Sequence, residues 1–184
     1  MGDSLITIIA IFLVAILMFV FPLMSMSERT DDISQLSVQS LTSDFVNTVR
    51  TTGKLTLEDY SKFQSSLAST GNSYDTEIEL QILDENVGVK TSQAELTKIG
   101  ENQYYTKYTT QVLQELGYSS TNSGATDKGK DINLKEGDIV SVNVKNTNTT
   151  ISQILRNFIY KISGNSAYQI GAQQSGIVTV TASK

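Results

Sequence analysis

The chain of 184 residues contains no cysteine, no histidine and a single proline. Without cysteine there is no disulfide scaffold, no thiolate nucleophile and no Cys-ligated zinc or iron–sulfur centre. Without histidine the usual general base, the Ser–His couple and the commonest metal ligand are missing too. Basic residues are few: 14 Lys and Arg face 19 Asp and Glu, for a net charge of −5 and a pI near 4.7. A nucleic-acid partner is not expected, because such surfaces cluster Lys and Arg to displace counterions from phosphates. Chemistry based on carboxylates, serine and lysine alone is what composition leaves open. No enzymatic activity and no cofactor are expected.

Charge is also absent from Leu5 to Met24, although the whole-chain mean hydropathy is only −0.12. This apolar run of about 20 residues spans about 30 Å as a helix, the thickness of a bilayer core. In lipid every backbone polar group must be satisfied within the segment, so helix is the expected conformation. Thr7 is the one polar side chain of the run, and its hydroxyl can bond a carbonyl one turn back. Leu5, Thr7, Pro22 and Met24 thus mark an expected membrane helix, with the lipid bilayer as partner. Pro22 removes one backbone donor and frees the Met18 carbonyl, which predicts a kink or local loosening. A cleaved secretory signal is the rival reading, since Ser25-Met26-Ser27 has a small-x-small pattern. Against it, no Lys or Arg precedes the run, which exceeds the roughly 7–15 residues of a usual signal core. Positive-inside counting gives no orientation, because Arg29 and the amino terminus are nearly the only flanking cations.

Beyond Met24 the chain turns polar and rich in Ser and Thr. Ile33, Leu36, Val38, Leu41, Phe45 and Val49 recur at two-to-four-residue steps, predicting an amphipathic continuation of the same helix up to a C-capping Gly53. Ile33, Leu36, Leu41, Phe45 and Val49 are its expected packing face. Thr56 to Asp59 reads as a capping box opening a short helix with Leu57, Tyr60, Phe63 and Leu67 inward and Gly71 closing it. Strict alternation from Tyr74 to Leu83 predicts a half-buried strand, followed by a turn over 84–88. The segment 91–116 reads as a helix with Tyr105, Tyr108, Val112 and Leu116 on one face, and 118–131 as a polar loop. A strand is expected over 138–146 and an amphipathic helix over 150–163. A last strand follows over 168–182, with Gly171 and Gly176 as bulge points.

The fold class is therefore α+β: a long N-terminal helix packed on a small, mainly antiparallel sheet with additional helices. Residues 1–27 form the transmembrane segment, 28–53 the amphipathic continuation and 54–184 a globular head domain. Strands so few need a cover, and the aqueous half of the long helix is the candidate.

Chemistry-bearing clusters are weak. Glu77 and Glu79 read as the solvated face of a strand, and Asp84 and Glu85 as turn residues rather than an acid–base pair. Asp127, Asp131 and Asp138 miss the spacing of a calcium loop and are interleaved with lysines. Tyr104, Tyr105, Tyr108 and Tyr118 read as core rather than as an adhesive patch. Asn148-Thr149-Thr150 matches a glycosylation sequon but also supplies helix-capping residues. The 150–163 stripe suits a sheet-packed helix better than one lying on a bilayer. No catalytic, cofactor-binding or metal-binding residue is assigned.

A very short leader, an apolar helix running into an amphipathic one, and a single α+β head resemble the type IV pilin-like class. Within it, Met1-Gly2-Asp3-Ser4-Leu5-Ile6-Thr7 looks like the start of TadE-like minor pilins, or pseudopilins, of tight-adherence (Flp) pilus systems. Lys135-Glu136-Gly137-Asp138-Ile139-Val140 and the stretch up to Tyr160-Lys161-Ile162 look like the tails of such proteins from Firmicutes. The resemblance implies a processing site between Gly2 and Asp3, with the family's glutamate falling on Thr7. It implies a single-pass cell-membrane protein with an extracytoplasmic head, built into a pilus or secretion-type surface apparatus. Its partners would be other pilin-like or assembly-platform subunits, met as a homo- or hetero-oligomer through the N-terminal helix. An unprocessed, anchored assembly or tip subunit fits the uncharged Thr7. A membrane-anchored extracytoplasmic binding or sensor module unrelated to pili is the alternative.

Overall fold

Between Asp3 and Thr52 no glycine interrupts the chain, and Pro22 does not end the helix that forms there. In the computed structural model, which describes residues 2–84, 104–118, 129–149, 154 and 170–182, α1 runs unbroken over Gly2–Thr52. Its 51 residues make a rod about 77 Å long. The rod stops where expected. Gly53 takes φ 65°, a left-handed value, and its N–H donates to the Val49 carbonyl at 2.9 Å. A side chain at Gly53 would also collide with the Val180 carbonyl oxygen, so close approach as well as φ demands glycine here.

Strand β1 (Lys54–Leu55) and helix α2 (Leu57–Ala68) follow. The Thr56 hydroxyl accepts from the Asp59 N–H at 3.1 Å and donates to the Asp59 carboxylate at 2.6 Å, so Thr56 caps α2 as its sequence position predicts. Tyr60, Phe63 and Leu67 are the buried face of α2, and the Phe63 ring stacks on Phe45 of α1 with centroids 4.4 Å apart. Strand β2 (Tyr74–Leu83) has the expected bounds and buries Thr76, Ile78 and Leu80 on alternate positions.

The next element departs from expectation. Residues 91–103 lie outside the described residues, but 104–108 form strand β3 (Tyr104–Tyr108), with helix α3 confined to Thr109–Leu116. Aromatic and β-branched Tyr-Tyr-Thr-Lys-Tyr pairs antiparallel with β2, Tyr104 opposite Leu83 and Tyr108 opposite Glu79. The ladder to β2 outweighs a helical spacing that only Val112 and Leu116 obey, both buried in α3. The Thr109 side chain marks the switch: its hydroxyl accepts from the Ile78 N–H at 2.8 Å, where a strand would have continued. Gly117, at φ 73°, ends α3.

Strand β4 (Ile132–Asn133) pairs with β1 as a small separate ribbon. Strand β5 (Ile139–Asn146) and strand β6 (Gly171–Ile177) complete an antiparallel four-stranded sheet in the order β3-β2-β5-β6. The protein is thus α+β, with a long N-terminal apolar helix and a small antiparallel sheet. Gly171 and Gly176 are not bulges, since the register from Lys145–Gly171 to Ile139–Ile177 is continuous. They are close-approach sites: a Cβ on Gly171 would meet the Val144 carbonyl, and one on Gly176 the Arg50 side chain. The expected Val178–Ala182 extension leaves the sheet, with Thr179 N–H donating to Arg50 O at 3.1 Å and Ala182 N–H to Leu134 O at 3.0 Å. The expected helix over 150–163 lies outside the described residues apart from Ile154, which is exposed.

One buried cluster joins Val38, Phe45, Val46 and Val49 of α1 to Leu67, Ile78, Leu80, Val112, Val140, Val142 and Val144. Two polar clamps fix α1 beside β6. The Gln35 amide donates to Gly171 O at 2.6 Å and accepts from Gly171 N–H at 3.0 Å, taking the place of a neighbouring strand. Arg50 Nε donates to Ile177 O at 2.8 Å. Both clamps occupy β6 edge groups that would otherwise invite another strand.

Candidate functional site

The residues singled out by sequence fall on one element. Gly2 and Asp3 lie in the first turn of α1, and Leu5, Thr7, Pro22 and Met24 further along it. Apart from a half-buried Val20, the large apolar side chains from Leu5 to Leu23 are 49–73% exposed, around the helix circumference. Removing one such side chain from water is worth about 1.5–3 kcal/mol, so a bare surface of this size demands a covering medium. Among the described residues one helix, α1, is long and apolar enough to cross a membrane or to act as a signal sequence. Its most apolar window has a mean hydropathy of 3.0 and is 0% buried.

Beyond Met24 the packing face is not the one expected throughout. Phe45 and Val49 are buried and Leu41 is half-buried against the core, but Ile33 and Leu36 are each 66% exposed. Asp31 and Ser34 take the buried positions instead, in line with Val38, Thr42 and Phe45. At about 100° per residue, Ile33 lies roughly 140° from Val38 and Leu36 about 160°. The two-to-four-residue steps in the sequence mixed two faces of one helix. On the second face Ile33 and Leu36 stand exposed to water among polar neighbours such as Arg29 and Ser40.

The acidic clusters resolve into structure. Glu77 is exposed on the sheet and accepts from Asn143 Nδ2 at 2.7 Å and Lys145 Nζ at 3.3 Å; these bonds lower its pKa below the usual carboxylate value. Glu79 accepts from Gln81 Nε2 at 2.9 Å. Asp131 pairs with Lys54 at 3.4 Å. Asp127 and Glu85 lie outside the described residues. Asp138 lies just before β5 and locks a turn: it is 1% exposed, Oδ1 accepting from Leu83 N–H at 2.9 Å and Oδ2 from Lys135 N–H at 2.8 Å. Gly137 at φ 97° and the Asp138 N–H bond to Lys135 O at 3.1 Å close the reverse turn that places this carboxylate. No group of three metal-ligating side chains occurs among the described residues.

Tyr104, Tyr105, Tyr108 and Tyr118 are exposed rather than core, because the first three belong to an outer strand. Tyr118 sets its ring edge against Tyr60, centroids 5.0 Å apart. Tyr60 is 4% exposed, and burial, reinforced by Tyr118 and Asp75, pushes its hydroxyl up to about 12 despite a bond from Gln64. Folding therefore favours the neutral phenol. That contribution is complete below pH 10.0 and is lost as pH rises toward about 12. Tyrosinate absorbance of the folded protein should show a late component near pH 12 that Tyr60→Phe removes. A titration curve that Tyr60→Phe leaves unchanged would refute this assignment.

The hollows among the described residues are shallow. One of about 330 Å³ beside the Lys135–Asp138 turn includes Lys107 and Glu115, already joined at 2.6 Å, and the bonded Asp138. Its described lining brings together no nucleophile and base. Sequence reasoning missed Gln35, Arg50 and Asp138 as structural anchors; only the Gly137-Asp138 pair, a turn signal, pointed to one of them. No family model, curated protein or solved structure matches the chain.

Proposed function

We propose that the protein is a membrane-anchored structural or assembly subunit, similar to the minor pilins and pseudopilins of pilus or secretion-type surface machines, and acts by association rather than catalysis. The observation that carries this reading is the exposed apolar surface of α1. It runs round the circumference up to Leu23 and recurs at Met26, Ile33 and Leu36 on the side turned from the core. Lipid accounts for the first part. Ile33 and Leu36 lie about 14 and 18 Å beyond Met24, outside the hydrocarbon, and there a neighbouring helix is the natural cover.

In this mechanism the apolar half of α1 stores the subunit in the bilayer and the α+β head stands on the extracytoplasmic side. Moving the helix from lipid to a bundle of like helices exchanges one apolar surround for another at little hydrophobic cost. Pro22, lacking one backbone donor, is where α1 can change its bend during that transfer. A photo-crosslinking amino acid at Ile33 or Leu36 should yield adducts larger than the 20.1 kDa chain in intact membranes. The same probe at the exposed Lys62 on α2 should not. Free monomer alone at positions 33 and 36 would defeat the proposal.

A further inference from the structure

The sheet has a second face that the core does not use. Along β5, Val140, Val142 and Val144 turn into the buried cluster, so Ser141, Asn143 and Lys145 point the other way. The register carries this alternation across the sheet: Glu79 lies between Tyr108 and Ser141, and Glu77 beside Asn143, with Gln173 next. Around Glu77 and Glu79 the face is polar, and the Tyr108 ring stands beside them 60% exposed.

This part of the face is also concave. Strand β3 ends at Tyr108, opposite Glu79, while β2 extends back to Tyr74, so β2 loses its outer neighbour at Ile78. Thr109 seals that edge, its hydroxyl accepting from Ile78 N–H at 2.8 Å and donating to Ile78 O at 3.2 Å. The step leaves a hollow of about 410 Å³, with Glu77, Glu79, Tyr108, Thr110, Asn143 and Gln173 in its lining. Ligand pockets span roughly 300–1,000 Å³, so the hollow is of ligand size. Its carboxylates are already held: Glu77 Oε2 accepts from Asn143 and Lys145, and Glu79 Oε1 from Gln81. Among the described residues nothing donates to Glu77 Oε1, Glu79 Oε2 or Asn143 Oδ1, and the Gln173 side-chain amide bonds to none of them.

We propose that this hollow binds a neutral oligosaccharide, a role separate from the association assigned to α1. Sugar hydroxyls donate to the carboxylate oxygens, bonds strengthened by the charge of the acceptor. Asn143 and Gln173 add planar amide groups that accept from and, at Gln173, donate to further hydroxyls. The C–H face of a sugar ring then lies on the Tyr108 ring. Charge selects against other classes of ligand. The two carboxylates outnumber the one ammonium, Lys145, and repel phosphate, sulfate and uronate groups. A point cation is a poor match too, because Lys145 already occupies Glu77. The open acceptors are spread over about 7 Å along β2 and about 5 Å per strand across the sheet. A ring carrying several hydroxyls reaches such a spread, whereas a single ammonium does not.

The test uses the full-length protein in phosphatidylcholine nanodiscs, since maltoside detergents would themselves offer a sugar. Saturation-transfer difference NMR reads contact with the carbon-bound protons of maltotetraose, cellotetraose and N-acetylchitotetraose at millimolar concentration. At least one of these should take up saturation. Tyr108→Ala and Gln173→Ala, both at exposed positions on opposite sides of the hollow, should each cut the transfer several-fold, and Tyr108→Phe should retain it. Near-ultraviolet circular dichroism checks that each variant is folded, and Gln173→Ala decides the matter alone if Tyr108→Ala is not. No transfer to any of the three sugars, or transfer that Gln173→Ala leaves unchanged, would overturn the proposal. So would stronger transfer to the polyamine spermidine than to every sugar, which would mark a cation site instead. The anchor reading stands or falls separately, by membrane partition.

Discussion

Replacing both Ala15 and Val20 with lysine should move the protein from the membrane fraction to the soluble one. Each lysine near the centre of a spanning helix costs about 2.5–3.5 kcal/mol on insertion scales, and less toward the ends. Ala15 lies at the middle of the apolar run and Val20 nearer its end, so the pair shifts the partition by roughly three orders of magnitude. Both positions are on a helix with no described tertiary contacts at that level, since the apolar window is 0% buried. The head should therefore keep its fold, and near-ultraviolet circular dichroism of the released protein should match that of the parent in detergent. Carbonate extraction followed by sedimentation measures the partition. A double variant still wholly in the pellet would refute the membrane helix. So would a parent protein recovered intact and soluble without detergent.

Asp138→Ala should be the most damaging single change in the head. The carboxylate is buried and accepts two backbone N–H groups, from Leu83 at the end of β2 and Lys135 at the start of the turn before β5. Truncation removes the charged acceptor of two part-buried bonds, at about 1–3 kcal/mol each. The loss of about 2–6 kcal/mol corresponds to a fall in Tm of roughly 5–20 °C for a chain of this size. Asp138→Asn should fall between, because an amide offers one acceptor oxygen and turns an N–H toward the other donor. Thermal unfolding in detergent micelles, followed by tertiary rather than helical signal, reads the difference. Equal stability of Asp138→Ala and the parent would show that the turn closes without its carboxylate.

Where local rules suffice, the sequence is a faithful guide. The apolar run, the stop at Gly53, the Thr56 cap of α2, the alternation of β2 and the stop at Gly117 all depend on residues within about one turn of each other. The same reasoning failed wherever a distant partner chose between two local options. Tyr105 and Tyr108 fit a helical face, yet β2 offers a ladder and 104–108 becomes a strand. Gly171 and Gly176 suggested bulges, yet the Val144 carbonyl and the Arg50 side chain need the space.

The candidate site divides in the same way. That α1 is apolar and needs a medium other than water was legible from Leu5 to Met24 alone, because hydrocarbon exposure depends on composition and length. Which side of its aqueous half is buried was not legible. Ile33 and Leu36 are as apolar as Phe45 and Val49, and only the position of β6, held by Gln35 and Arg50 across more than 120 residues of chain, turns them outward. Local sequence determines which elements form and how greasy they are. Only the tertiary structure assigned the faces, because one helix can bury only the side its distant partner reaches.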